Sequence, residues 1–177
     1  MAIRLNFLSL LVSLLSLGTI FNAADAQTKA HTTLEECLDA YTVTGLTPSD
    51  SSWSSTIAPY NLRLPWQPAG VAIPTTPEEV AAALSCAKKY KVKVQPRGGG
   101  HSYGAMSLGG KDGSLMIDMN RFNKIQLDNA TKVAKVGAGV RLGNLATALY
   151  NQGGRALPHG TCPGYVVGLI IYLFTHF

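Results

Sequence analysis

The chain of 177 residues carries a formal net charge of +5 at pH 7, and 46% of its residues are hydrophobic. This length allows one modest domain with its own core. The positive charge clusters at residues 88–93, where Tyr90 is the one aromatic residue among the lysines. A nucleic-acid site would interleave basic and aromatic residues, so we interpret the cluster as solvated surface and expect no nucleic-acid partner.

The first residues are typical of a secretory signal. Arg4 supplies the basic start, residues 7–20 form an apolar run, and Ala24-Asp25-Ala26 offers a cleavage site. We therefore predict a signal peptide over residues 1–26, a mature chain that begins at Gln27, and a secreted monomer. No other stretch is long and apolar enough to predict a stable membrane span.

Two capping boxes predict where helices begin. Thr33 and Glu36 start a short helix that carries Cys37, and a second box starts a longer helix with proline at its first position. The second helix is predicted from its capping pair and its apolar face, which are Thr76 with Glu79 and then Val80, Ala83, Leu84 and Ala87. Between the two helices we predict a loop with extended pieces at residues 60–63 and 71–74.

The second half of the chain predicts strands and one more helix. A strand over residues 92–95 leads into a glycine-rich loop, and residues 115–119 and 133–136 form two further strands. The turn between the last two, at Asp128-Asn129, overlaps a predicted glycosylation site, Asn129-Ala130-Thr131. The final helix is predicted from its apolar stripe and glycine stop, which are Leu142, Leu145, Ala146, Leu149 and Gly153-Gly154. This order predicts an α+β domain in two lobes.

Two motifs carry residues suited to bind a cofactor. The first, after the predicted strand 92–95, is Arg97-Gly98-Gly99-Gly100-His101-Ser102. Its glycines leave backbone N–H groups uncovered that can surround a diphosphate, and Arg97 adds a positive charge. The second motif is His159-Gly160-Thr161-Cys162-Pro163-Gly164. His101 and Cys162 supply an imidazole and a thiolate, the nucleophiles that attack an electron-poor ring.

This pair of motifs resembles the bicovalent FAD oxidases of the berberine-bridge and glucooligosaccharide oxidase type, over residues 34–164. The resemblance implies a PCMH-type FAD-binding domain, with the cofactor between two α+β subdomains. It implies that residues 97–102 hold the diphosphate, and that FAD is linked through His101 at its C8-methyl carbon and through Cys162 at ring C6. With Cys162 assigned to the flavin, we expect Cys37 and Cys86 to form a disulfide.

The same resemblance implies an oxidoreductase that oxidises an alcohol or sugar with oxygen as acceptor. An alkaloid- or cannabinoid-type cyclisation is an alternative on the same cofactor. The family's catalytic base is a tyrosine from its C-terminal part, which has no counterpart in this sequence. We therefore assign no catalytic residue and expect this chain alone to be inactive. The alternative function is a non-catalytic, secreted, disulfide-bonded fragment with weak or no flavin binding.

The resemblance ends after Gly164, where the family continues into the rest of its cofactor domain and a substrate domain. Residues 165–177 are apolar, and we interpret them as an aberrant tail from a retained intron or frameshift, or else as a buried strand. The predicted organisation after the signal peptide is an N-terminal helix and extended lead-in at residues 27–66, a partial FAD-binding domain at residues 67–164 with an incomplete second lobe, and the tail.

Other chemistries fit these residues less well. The segment Gly137-Ala138-Gly139-Val140-Arg141-Leu142 has leucine where a dinucleotide fingerprint requires its third glycine. His101, His159 and Cys162 fall short of the four ligands of a structural zinc site, so we expect no metal. A cysteine hydrolase would need an orienting residue that the sequence does not offer.

Overall fold

The computed structural model describes residues 33–166. The predicted signal peptide, the start at Gln27 and residues 167–177 of the predicted tail lie outside the described residues, so these remain predictions. The helices of the described part are α1 (Leu34–Ala40), α2 (Trp53–Thr56), α3 (Pro77–Lys89) and α4 (Leu142–Gly153). Its strands are β1 (Gly45–Leu46), β2 (Gly70–Ala72), β3 (Val94–Arg97), β4 (Leu115–Asp118), β5 (Ile125–Asp128) and β6 (Val133–Val136). Within residues 33–166, no helix has the length and hydropathy to cross a membrane.

The larger sheet has the strand order β1-β2-β4-β3 and is mostly parallel. Strand β4 pairs in parallel with β2 and with β3, and β1 runs antiparallel to β2. All four residues of β4 are buried, as is usual for a central strand covered on both faces. Leu115 and Ile117 pack with α1 and α3 on one face, while Met116 packs with Trp53 and Leu108 on the other.

A second hydrophobic cluster is built from a hairpin and a helix. Strands β5 and β6 pair antiparallel, with Ile125 opposite Val136. Helix α4 covers this hairpin, with Leu142, Leu145 and Leu149 buried against it. The stripe predicted from the sequence is therefore the buried face of α4, and Gly154 ends the helix in the left-handed conformation, with φ 59°. The predicted α+β class is confirmed.

The predicted helix starts are also confirmed, with their capping bonds. The Thr33 hydroxyl accepts a hydrogen bond from the N–H of Glu36 at 3.1 Å, and the Thr76 hydroxyl accepts one from the N–H of Glu79 at 3.2 Å. The Glu79 carboxylate accepts a further bond from the N–H of Thr75 at 2.7 Å. These bonds satisfy backbone donors that the first turn of a helix leaves without partners.

Three local predictions differ from the structure. The strand predicted at residues 92–95 begins at Val94, because Lys91 takes a positive φ of 56° and the N–H of Val92 bonds back to the α3 carbonyl of Ala87. Residues 60–63 are not extended but form a turn in which the N–H of Leu64 donates to the Asn61 carbonyl. The loop predicted between α1 and α3 also contains the short helix α2, and strand β5 was not predicted from the sequence.

Gly137 and Gly139 allow two chain segments to approach each other more closely than a side chain permits. A Cβ atom on Gly137 would fall on the carbonyl of Phe122, and one on Gly139 would fall on the carbonyl of Met119. Backbone bonds join the same segments, with the N–H of Gly139 donating to the Phe122 carbonyl at 2.9 Å. These glycines therefore pack the chain against itself and do not form a dinucleotide fingerprint.

The predicted disulfide between Cys37 and Cys86 is present and joins α1 to α3. Both sulfur-bearing residues are buried in the cluster on the helical face of the sheet. The pair closes a loop with a sequence separation of 49 residues, so the cross-link removes many conformations of the unfolded chain.

We predict that replacing both cysteines (Cys37→Ala with Cys86→Ala) lowers the free energy of unfolding by about 4 kcal/mol, because the unfolded chain regains the conformational entropy that the cross-link removed. Urea denaturation of the oxidised protein measures this. Cys162→Ala is the matched control, since this cysteine is free and exposed, and its midpoint should stay at that of the parent chain. An unchanged midpoint in the double variant would contradict the prediction.

We also predict that Gly137→Ala destabilises the chain by about 1–3 kcal/mol, the usual cost of overpacking a site that cannot expand. The obstruction is backbone, which cannot rotate away as a side chain does. Gly104→Ala is the control, because its Cβ would meet only ordinary contacts, with Met106 Cγ at 3.6 Å. Equal denaturation midpoints for the two variants would show that the segments can separate without loss.

Candidate cofactor site

The glycine-rich loop lies at the carboxyl end of β3, beside the parallel strand β4. Ligands of such sheets usually bind at this edge, as predicted from the sequence. Gly100 has φ 75°, a conformation that favours glycine. Among residues 33–166, no acceptor bonds the backbone N–H groups of residues 98–102. Within residues 33–166 the loop therefore presents a run of backbone donors without acceptors.

A cavity of about 460 Å³ opens beside this loop. Its walls come from three parts of the chain, namely the glycine-rich loop, the 3-10 turn at Met106–Leu108, and Tyr165 with Val166. Two residues of the predicted tail, Tyr165 and Val166, thus line part of the cavity. Ser102 supports the 3-10 turn, since its hydroxyl accepts a hydrogen bond from the N–H of Met106 at 3.2 Å.

His101 is half-buried between two aromatic rings. Its ring centre lies 4.9 Å from that of Tyr165, edge to face, and 5.2 Å from that of Tyr60. The Nδ1 atom is buried and has no hydrogen-bond partner among the described residues. Burial lowers the pKa of His101, and the charges of Arg141 and Arg97 lower it further, so the imidazole is neutral at pH 7. A neutral imidazole with an unpaired ring nitrogen can act as a nucleophile.

Arg97 has a structural partner that the sequence did not indicate. Its Nη1 donates to the Thr56 carbonyl at the end of α2, and it lies 3.7 Å from the Met116 sulfur. A Cβ on Gly100 would sit 2.9 Å from the Arg97 Nε, so the side chain passes directly under the loop. Burial lowers the pKa of Arg97, while the Asp118 carboxylate opposes that shift. Arg97 therefore supports the loop from below.

Cys162 is exposed and is the free cysteine among the described residues. It begins a stretch, residues 162–166, that we call the docked segment because it pairs with the start of α4. The N–H of Gly143 donates to the Pro163 carbonyl at 3.0 Å, and the N–H of Leu142 donates to the Tyr165 carbonyl at 2.8 Å. Through this pairing the segment that carries Cys162 reaches the ring of His101.

Two further observations describe that meeting. A Cβ on Gly164 would lie 3.6 Å from the Nε2 of His101, so this edge of the imidazole also lies next to the docked segment. Tyr103 raises the pKa of Tyr165 through a hydrogen bond and its charge, and Cys162 raises it further. The structure thus brings together His101, the docked segment and the glycine-rich loop.

Arg141 is the site residue that the sequence did not reveal. It is the N-cap residue of α4, and its guanidinium bonds to the Gly164 carbonyl at 3.1 Å and to Asn120 Oδ1 at 3.2 Å. A basic residue just before a predicted helix was visible in the sequence, but nothing local connected it with His101. His159, by contrast, is exposed and contacts the neighbouring Gly160 carbonyl through Nδ1 at 2.7 Å.

This α+β arrangement matches the PCMH-type FAD-binding fold. A solved glucooligosaccharide oxidase from Acremonium strictum, which carries a 6-S-cysteinyl, 8α-N1-histidyl FAD, superimposes with a TM-score of 0.73 at 39% identity. The match covers 76% of this chain and 28% of the oxidase. Residues 68–172 match the family model described as FAD binding domain, and the chain belongs to this family. The match begins beside the predicted boundary at residue 67 and runs beyond the one at residue 164.

Several curated relatives are named as oligosaccharide oxidases. The chain is 40% identical over 153 residues to xylooligosaccharide oxidase from Thermothelomyces thermophilus, covering 86% of this chain and 31% of the oxidase. It is 43% identical over 147 residues to chitooligosaccharide oxidase from Gibberella zeae, covering 81% of this chain and 30% of that oxidase. The chain therefore spans about three tenths of the length of the curated relatives it matches.

The environment of His101 predicts a pH dependence of stability. Its pKa in the folded state lies below the ordinary 6.5, so the unfolded state binds more protons once the pH falls below that value. The free energy of unfolding should therefore decrease as the pH falls from 6.5 through the folded-state pKa. We expect His101→Gln to remove part of this decrease, and His159→Gln to leave it intact. Urea titrations across this pH range measure it, and identical slopes in both variants would refute the assignment.

Proposed function

We propose that this chain supplies the FAD-binding part of a secreted FAD-dependent oxidoreductase that oxidises a carbohydrate or other alcohol with oxygen as acceptor. The observation that carries the proposal is the meeting of His101 with the docked segment of Cys162, above a loop of free backbone donors. Family membership and the oxidase relatives support the same cofactor and reaction class.

The residues of the site fit a flavin nucleotide. The free N–H groups of residues 98–102 are suited to the oxygens of a diphosphate, and the guanidinium groups of Arg97 and Arg141 lie next to the loop. The adjoining cavity is bounded by Tyr165 and Met106, which offer apolar surface to a planar ring. FAD, when bound, supplies the ring that takes a hydride from the substrate and passes the electrons to oxygen.

We assign the two covalent attachment points to His101 and Cys162. The Nδ1 of His101 is the ring nitrogen without a partner, and the low pKa of the imidazole keeps its lone pair free for bond formation. The thiol of Cys162 is exposed, as a group that reacts with a cofactor must be. The glucooligosaccharide oxidase with its cysteinyl, histidyl FAD is the precedent for one residue of each kind.

The proposed substrate class and cellular location are supported by the relatives and by the disulfide. Relatives named for xylo-, chito- and glucooligosaccharides support a sugar substrate, which the part of the protein beyond this chain's match would select. A disulfide between Cys37 and Cys86 supports an oxidising compartment. The predicted glycosylation residue, Asn129, is exposed in the turn between β5 and β6, although its Nδ2 donates to the Gln152 carbonyl at 3.1 Å.

We expect flavin fluorescence to stay with acid-precipitated protein when the chain is produced in a host that supplies FAD, because a covalent link survives denaturation. His101→Ala and Cys162→Ala should each keep one link, and the double variant should release all flavin. His159→Ala, in an exposed histidine beside the same motif, is the matched control and should retain the parent level. Flavin retained by the double variant would show that other residues form the links, and a parent chain without flavin would overturn the proposed function.

A further inference from the structure

The guanidinium of Arg141 is held where three chain segments meet. Its Nη1 donates to the Gly164 carbonyl of the docked segment, and its Nη2 donates to Asn120 Oδ1, which follows β4. The main chain beside it is paired as well, since Arg141 forms a β-bridge with Val166. Two side-chain bonds in different directions, together with the backbone pairing, fix the position of the charge.

The third segment is the glycine-rich loop. A Cβ on Gly99 would lie 2.6 Å from Nη1 of Arg141 and 2.6 Å from Nδ1 of His101. The guanidinium and the imidazole therefore approach the same point of the loop. Only glycine leaves room there for both groups, because it has no side chain. A fixed positive charge this close to an imidazole disfavours the protonated ring.

The groups that face His101 come from several elements of the site. They are Arg141 at the start of α4, Arg97 at the end of β3, Tyr60 after α2, and Tyr165 in the docked segment, while Tyr103 packs edge-on against Tyr60. The two arginines are the permanent charges of this set. Arg97 donates to Thr56 and is partly balanced by Asp118, whereas Arg141 bonds only to neutral oxygens among the described residues.

We propose that Arg141 is a positioning residue whose guanidinium, fixed by Gly164 and Asn120, keeps the His101 imidazole neutral with its Nδ1 free above Gly99. The inference deepens the proposed function, since a neutral imidazole is the form that can bond to the flavin. After burial, Arg141 is the larger of the two charges that lower the pKa of His101. The role that we propose for it is therefore electrostatic, in addition to holding the segments together.

An NMR titration of the histidine ring protons in the chain synthesised without FAD, so that His101 carries no flavin, tests this. The chain has four histidines, and His101→Gln identifies the relevant signal. Arg141→Gln removes the charge but can still donate to Gly164, and it should raise the pKa of His101 toward the ordinary histidine value. Arg141→Lys keeps the charge and should leave the pKa low. Arg155→Gln is the matched control, because Arg155 lies beyond the far end of α4, about 18 Å along the helix.

The outcomes separate an electrostatic role from a structural one. A pKa that rises in Arg141→Gln, stays low in Arg141→Lys and is unchanged in Arg155→Gln supports the proposal. An unchanged pKa in a folded Arg141→Gln variant overturns it, as does an equal rise in Arg155→Gln. Should Arg141→Gln not fold, Arg141→Met takes its place in the same titration, because it also removes the charge. The titration needs no flavin, so failure of the proposed function would show separately, as a parent chain that never retains flavin.

Discussion

The close approach of three chain segments at Gly99 is the constraint on which the rest of the site depends. The absent side chain leaves room for the guanidinium of Arg141 and the imidazole of His101 at one point. The docked segment can then pair with the start of α4 and bring Tyr165 against the His101 ring. A methyl group at this position would push apart the two groups that define the site, even though it lies in a loop.

Charge and burial act together in this region. The positive groups of Arg97 and Arg141 both lie next to the glycine-rich loop, and both lower the pKa of the His101 imidazole. An anionic diphosphate at the free N–H groups of the loop would meet both guanidinium charges, which is favourable for a phosphate-bearing cofactor. The same charges make protonation of His101 unfavourable. One electrostatic arrangement thereby serves binding of an anion and reactivity of a nucleophile.

The site also joins the cluster on the helical face of the sheet to the cluster between the hairpin and α4. The sheet, with α1, α3 and the disulfide, carries His101 at the end of β3. The hairpin with α4 carries Arg141 and receives the docked segment. The bond from Arg141 to Asn120, which follows β4, links these parts close to His101.

Features that depend on a few neighbouring residues were predictable from the sequence. The capping bonds of Thr33 and Thr76, the buried stripe of α4, and the loop at the end of β3 all follow from short-range spacing. Three features did not follow from short-range spacing. They are the start of β3 at Val94, the pairing that makes β5 a strand, and the position of Arg141 beside His101. The position of Arg141 depends on contacts between residues far apart along the chain, and local periodicity carries no information about which distant segments meet. The start of β3 depends instead on the positive φ of Lys91, and β5 becomes a strand only through its pairing with β6. The motifs thus identified the nucleophiles, while the folded chain supplied the charge that controls one of them.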